Sequence, residues 1–279
     1  MAMNKQYKRI VIPKGLDLGT SRRTCHQLAN TISARTGLNI FTDVESIVQK
    51  DLVVLGGVGG HDGFKKYHET FQEQNIDYLN VEKGYCNWWK PVYWRVTFNE
   101  NQITDIKGEW TNERFVKFNM KIKPWQMGDQ VYIVAPSQNG LDVYGIKQTV
   151  DQWIESTTEE IKKYTNRPIK VRKKLPKKAR GSRGFCDSLE NIHCVVSLHT
   201  MAMTEALREG CPIISLVPGC LKDYSVDSIS KINNLYYPDN RQYLFNCLTN
   251  LQFNSGELIT GVAWDTMSKY YGISISKQA

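Results

Sequence analysis

Two short stretches set ionisable side chains on tight, glycine-bearing turns. Gly15-Leu16-Asp17-Leu18-Gly19 carries Asp17, and Gly60-His61-Asp62-Gly63 carries His61 and Asp62. A carboxylate or imidazole fixed on such a turn can take a proton from an attacking hydroxyl. The glycines let a reactant approach the backbone. Arg22 and Arg23 lie close to Asp17 in sequence and would depress its pKa, weakening it as a base. Asp62 sits between His61 and Lys65, a mixed setting, so the order of candidates is Asp62, Asp17, then His61. The plainer alternative for each aspartate is a turn residue bonding its own backbone.

A third stretch suits an anion. The apolar run His193–Leu198 breaks into His199-Thr200, and a helical pattern follows to Glu209, closed by Gly210 and Pro212. Such a helix start offers unpaired N–H groups and a favourable dipole for phosphate. His199 and Thr200 stand at the turn, and Glu205 lies where it could reach a ribose hydroxyl. The alternative is that Thr200 only caps the helix and Glu205 is a surface acid.

The chain holds 36 Lys+Arg against 28 Asp+Glu, a formal charge of +8. Eleven basic residues and no acidic one fall between Ile161 and Arg183. A block of this kind attracts polyanions, unless it is simply a solvated basic loop. Arg172 and Lys174, at the end of a strand pattern, are candidates for a diphosphate. Lys173, Lys177, Lys178, Arg180 and Arg183 are candidates for nucleic acid.

Other chemistries lack their signatures. Gly56-Gly57-Val58-Gly59-Gly60 does not have the GxGxxG spacing of dinucleotide binding, and there is no P-loop. The histidines form no HExxH motif, so no metal site is expected. Seven widely spaced cysteines without a CxxC pair are expected as free thiols of a reducing cytoplasm. No apolar run approaches the ~20 residues of a membrane span. The start, MAMNKQYKRI, does not read as a signal peptide, so a cytoplasmic protein without a membrane partner is expected.

The 279 residues are 41 % hydrophobic and 23 % charged, enough for one large or two small globular domains. Strands are predicted over Arg9–Pro13, Leu38–Thr42, Asp51–Leu55, Ile76–Val81 and Tyr93–Phe98, with helices from Thr20 or Ser21 to Arg35 and over Phe64–Gln74. Tyr85–Phe98 packs six aromatics into fourteen residues, as a core, a domain edge or a stacking platform. The pattern restarts with strands at Val131–Ala135, Pro168–Arg172, His193–Leu198 and Ile213–Val217. Helices are predicted at Ile146–Tyr164, Thr200–Glu209, Asp239–Leu251 and Ser255–Lys269. Strands separated by helices predict parallel sheets. The fold class is α/β, two facing Rossmann-like domains over 1–120 and 121–279, joined within Asn112–Gly128. The second would bind the donor and carry the closing helices.

The pattern of strand, polar turn, Glu205-Ala206-Leu207, Gly210, Pro212 and Ile213 resembles the nucleotide-binding domain of GT-B glycosyltransferases. A wider resemblance runs from about Asp77 to Trp264. It rests on Lys83-Gly84-Tyr85, Tyr93–Thr97, Arg167–Lys174 and Glu257–Trp264. These segments are similar to a family of bacteriophage proteins of glycosyltransferase type. The resemblance implies a nucleotide-sugar donor, a UDP-sugar first, in a metal-independent site. It also implies DNA as partner, with a hydroxymethylated base as acceptor, and a host-cell cytoplasm as location. His199-Thr200 departs from the Ser-Ser or Ser-Asn frequent before this helix. The alternatives are a non-catalytic phage protein that binds nucleotide or nucleic acid to interfere with a host system, and a transferase acting on a surface glycan.

Overall fold

A computed structural model describes residues 3–13, 20–56, 70–86, 92–174 and 189–275. The chain divides into two units. One comprises Met1–Ile103, Gly108–Trp110 and Cys247–Ala279; the other comprises Thr104–Lys107 and Thr111–Asn246.

The first unit contains β1 (Met3–Lys5), β2 (Arg9–Pro13), α1 (Thr20–Thr36), β3 (Asn39–Val44), β4 (Asp51–Gly56), β5 (Asp77–Lys83) and β6 (Trp94–Phe98). β4 is buried at all six positions and β6 at all five, the near-continuous burial of strands covered on both faces. The six-stranded sheet runs β11-β6-β5-β4-β2-β3, where β11 is Gln252–Phe253. β3, β2, β4 and β5 are parallel; β6 is antiparallel to both of its neighbours, β5 and β11. Arg9 grips the buried carboxylate of Asp51 through Nε at 2.8 Å and a second nitrogen at 3.0 Å. Tyr85, Tyr93, Trp94 and Phe98 are buried, so the described part of the aromatic cluster is core.

The second unit contains α2 (Glu113–Lys117), β7 (Gln130–Val134), α3 (Gln138–Val143), α4 (Val150–Lys162), β8 (Ile169–Arg172), β9 (Ile192–Ser197), α5 (Met201–Arg208) and β10 (Ile213–Ser215). Its four strands are all parallel in the order β10-β9-β7-β8. One face packs Val131, Ile133, Cys194 and Val196 against Leu141, Trp153 and Ile161 of α3 and α4. By the two-residue alternation of strands, Tyr132, Val134, Val195, Ser197 and Ile213 line the opposite face. α5 packs on β9 and β10, and its buried Met203, Ala206 and Leu207 stand apart from the Trp153 cluster.

Four expectations are corrected. The 1–120 and 121–279 division misplaces the last segment, because β11 pairs with β6 and β12 (Ile273–Ile275) pairs with β1. The helices after β11 therefore belong to the first unit, where Thr31 Oγ1 of α1 donates to the Leu258 carbonyl at 2.8 Å. The link is not within Asn112–Gly128 either: Lys123 and Gln126 give their N–H groups to the carbonyls of Arg208 and Gly210, inside the second unit. The helix expected over Ser255–Lys269 is two, α7 (Ser255–Thr260) and α8 (Val262–Tyr271), broken by Gly261 at φ 90°. Asn254 caps α7, and with Glu257 it forms a complete capping box. The helix α6 (Arg241–Asn250) spans the residues where the two units are divided.

Gly210 holds a left-handed φ of 84°, and a Cβ there would lie 2.0 Å from the Pro124 carbonyl oxygen. Gly210→Ala should cost about 2 kcal/mol or more, from the left-handed backbone and the clash. The corresponding fall in Tm is about 4 °C or more, read by thermal unfolding.

The ring of His193 donates from Nε2 to the Ile232 carbonyl at 2.8 Å, and burial pulls its pKa below 6.5. The unfolded chain therefore takes up this proton first on acidification. Stability should fall as pH drops through about 6.5 and level off below the folded pKa. His193→Gln should make this acid-side loss smaller, as measured by urea midpoints near pH 7.5 and 5.5.

Candidate functional site

In the second sheet the chain places β8 on one side of β7, then returns to place β9 and β10 on the other. The order reverses between β7 and β9, where ligands of open α/β sheets bind beyond the carboxyl ends of the strands. The turn after β7 is Ala135-Pro136-Ser137, and the turn after β9 is Leu198-His199-Thr200.

The β9 turn is tied down residue by residue. Ser197 Oγ donates to the Val134 carbonyl at 2.7 Å, fastening β9 to β7. The Ser197 carbonyl accepts from Leu216 N at 2.9 Å. Ser215 Oγ lies 2.9 Å from the Leu198 carbonyl oxygen and 3.0 Å from that of Val217. His199 Nε2 lies 3.6 Å from Cys220 Sγ. Thr200 then starts α5 with an extended backbone, φ −140° and ψ 156°, and its carbonyl accepts from Met203 N at 3.0 Å.

Thr200 is the N-cap by backbone, yet its side chain makes no capping bond, and among the described residues its buried Oγ1 has no hydrogen-bond partner. Thr204, one turn further along α5 and 2 % exposed, likewise has an unpartnered Oγ1. The alternative in which the Thr200 hydroxyl only caps the helix is not what the structure shows. Glu205 is half-buried rather than fully at the surface.

Arg172 pairs with Val134 in the β7–β8 register, while Ile133 pairs with Val196. Arg172, Val134 and Ser197 therefore stand at one level, with Arg172 and Ser197 about 10 Å apart across two strand spacings. Arg172 shares the sheet face of Val134 and Ser197, the face on which α5 packs. Lys174 is exposed just beyond the end of β8. Lys173 instead forms an ion pair with Asp151 in the first turn of α4.

Lys177, Lys178, Arg180 and Arg183 lie outside the described residues, as do Asp17, His61 and Asp62. The strands that precede the last three are described: β2 ends at Pro13 and β4 at Gly56, and the two are neighbours. They flank the order reversal of the first sheet, because β3 lies beyond β2 and β5 beyond β4. Among the described residues, no three His, Cys, Asp or Glu side chains gather as metal ligands. The six described cysteines are buried thiols without disulfides, and Cys186 lies outside the described residues. No described helix is long and apolar enough to cross a membrane.

Sequence reasoning missed Ser137 and Cys220. Ser137 had a signal, a serine after a strand with Gly140 three residues on; its Oγ accepts from Gly140 N at 3.3 Å. Cys220 had none, because 21 residues separate it from His199.

No protein-family model matches the chain, and no curated protein matches it. Among solved structures it is similar to KpsC of Thermosulfurimonas dismutans, a beta Kdo 2,4 transferase. The two share 10 % identity at a TM-score of 0.49, over 87 % of this chain and 90 % of that one.

An unpartnered buried hydroxyl is worth less to the fold than a methyl group of the same shape. Thr200→Val should therefore leave the thermal stability of the ligand-free chain unchanged or slightly raised. A loss above about 1 kcal/mol would mean that the hydroxyl is satisfied in solution.

Proposed function

We propose that the chain is a glycosyltransferase that holds a nucleotide-sugar donor, a UDP-sugar first among them, at the carboxyl edge of the second sheet. The observation that carries this reading is the turn at the β7–β9 reversal. The Ser197, Leu198 and Thr200 carbonyls are engaged, while among the described residues the Thr200 hydroxyl stays buried and unpartnered at the start of α5. A diphosphate would complete that hydroxyl and take the N–H groups of the first helical turn.

In this reading the chain's residues divide the work. Thr200, His199 and the start of α5 meet the diphosphate, and Arg172 and Lys174 supply positive charge as the leaving group gains negative charge. Glu205 takes a ribose hydroxyl. A base from the turns after β4 and β2 takes the acceptor proton, with Asp62 first, Asp17 second and His61 third. The acceptor proposed is a hydroxymethylated base in DNA. That part rests on the phage-family resemblance and on the basic residues Lys177, Lys178, Arg180 and Arg183.

A thermal-shift screen of UDP-, GDP-, CMP- and ADP-sugars tests the donor. A true donor at 100 times its Kd should stabilise the chain by about 2.7 kcal/mol. Thr200→Val combined with Glu205→Ala should abolish the shift while the variant stays folded; an undiminished shift would remove the site from α5. Asp62→Asn should lower turnover by about 10²–10⁴ with donor binding little changed. Turnover within a few fold of the parent would pass the role to Asp17. If Asp17→Asn also left turnover intact, a binding protein without catalysis would be favoured.

Binding to duplex DNA should weaken with salt at a log–log slope of about −0.9 per phosphate neutralised. Replacing Lys177, Lys178 and Arg180 with Gln should flatten that slope by up to about three units. A glycan acceptor would instead leave DNA binding absent or insensitive to these changes.

A further inference from the structure

Among the residues of the β9 turn, His199 is held through its side chain by a partner from another strand's turn. Cys220 is 1 % exposed and closes the segment Leu216–Cys220 that leaves β10. Its Sγ lies 3.6 Å from His199 Nε2, within the reach of a sulfur hydrogen bond. The two segments are already joined by Leu216 N to the Ser197 carbonyl and by Ser215 Oγ beside the Leu198 carbonyl. The thiol therefore sits on a backbone that cannot drift from the imidazole it faces. Within this turn a rigid ring and an unpartnered hydroxyl stand side by side, at His199 and Thr200.

We propose that Cys220 is a positioning residue: its sulfur fixes the rotamer and tautomer of His199, so that the β9 turn meets its ligand with an oriented imidazole. The placement of that ligand rests on the donor reading above, whereas the Cys220–His199 contact stands on geometry alone. An imidazole has two distinct nitrogens, and the partner of one decides which carries the proton. A thiol at Nε2 either donates to the ring, leaving its proton on Nδ1, or accepts from Nε2–H, and the ring state that keeps this contact is the one the rest of the crevice encounters. A ring held in one orientation also loses less freedom when a ligand docks.

The test uses the full chain with ¹⁵N-labelled histidine. In the parent, the His199 ring should give the nitrogen shifts of one dominant tautomer. In Cys220→Ala these should move toward the average of two tautomers, and Cys220→Ser, which restores a hydrogen-bonding group, should return them toward the parent. UDP affinity by calorimetry should fall about tenfold in Cys220→Ala and recover in Cys220→Ser. His199→Ala should lose a similar factor, and Cys220→Ala with His199→Ala should lose little more than His199→Ala alone. Unchanged ring shifts in a folded Cys220→Ala variant would overturn the proposal, and so would full additivity of the two losses. Failure of UDP to bind the parent would overturn the donor reading instead, and the ring shifts would still decide the contact.

Discussion

Strand order is the constraint on which the rest depends. A parallel strand pair needs a crossover, and crossovers are right-handed almost without exception. A chain that adds β8 on one side of β7 and β9 on the other must therefore place successive helices on opposite faces. The second sheet does this: α3 and α4 cover the Val131–Ile133 face, and α5 covers the other. At the reversal, the turns after β7 and β9 diverge toward different faces and leave the strand ends open. The first sheet repeats the arrangement at β2 and β4, with the order β3-β2-β4-β5. Topology alone thus singles out four turns, and Asp17, His61, Asp62, His199 and Thr200 all follow one of these strands.

An open strand end binds nothing unless the helix beside it is held firmly. α5 has eight residues, too few to be stable in isolation. Its far end is clamped by Arg241, whose guanidinium donates to the Leu207 carbonyl at 2.6 Å and the Lys123 carbonyl at 2.9 Å. The same group stacks 3.6 Å over the Trp125 ring. Burial lowers the pKa of Arg241, but an arginine stays cationic at neutral pH. A cation against the last carbonyls of a helix complements its dipole. Arg208 and Gly210 carbonyls are taken by Lys123 and Gln126, so the segment before β7 seals the end of α5. The last carbonyls of the helix, Glu205 to Arg208, all have donors, while among the described residues the Thr200 and Thr204 hydroxyls toward its start have no partner.

Much of this was legible in the sequence, for local reasons. Runs such as RIVIP, DLVVL and VYIV declare buried strands by composition, and the strands lie within two residues of the predicted bounds. Glycine at 210 with proline at 212 marked the end of α5. The errors arose where a distant partner decides. β11 and β12 are two and three residues long and exist through pairing with β6 and β1, which no local pattern announces. That pairing moved the closing helices into the first unit. Gly261 reads as one weak position in a helical run. Its φ of 90° lies in the left-handed region that favours glycine, and the Arg35 guanidinium occupies the space where a Cβ would stand. At the site, the spacing located the turn and the helix, but not Cys220 against His199 or the want of a partner at Thr200.

Charge shows most clearly how composition and structure differ. The run from Ile161 to Arg183 contains no acid, which predicts a strongly positive surface. In the fold, acids from elsewhere come to it. Asp129 meets Arg167 at 2.6 Å, Glu160 meets Lys163 at 2.6 Å, and Asp151 pairs with Lys173. Such exposed pairs contribute little to stability and are screened by salt, so a polyanion could displace them. They nevertheless lower the local field that would draw it in. Lys163, Arg167 and Lys173 are therefore suited to set the rate and salt sensitivity of an encounter rather than its selectivity. In the donor reading proposed above, selection of an anion would fall instead to the β7–β9 reversal, where the first N–H groups of α5 and the buried Thr200 hydroxyl are held in place by the fold.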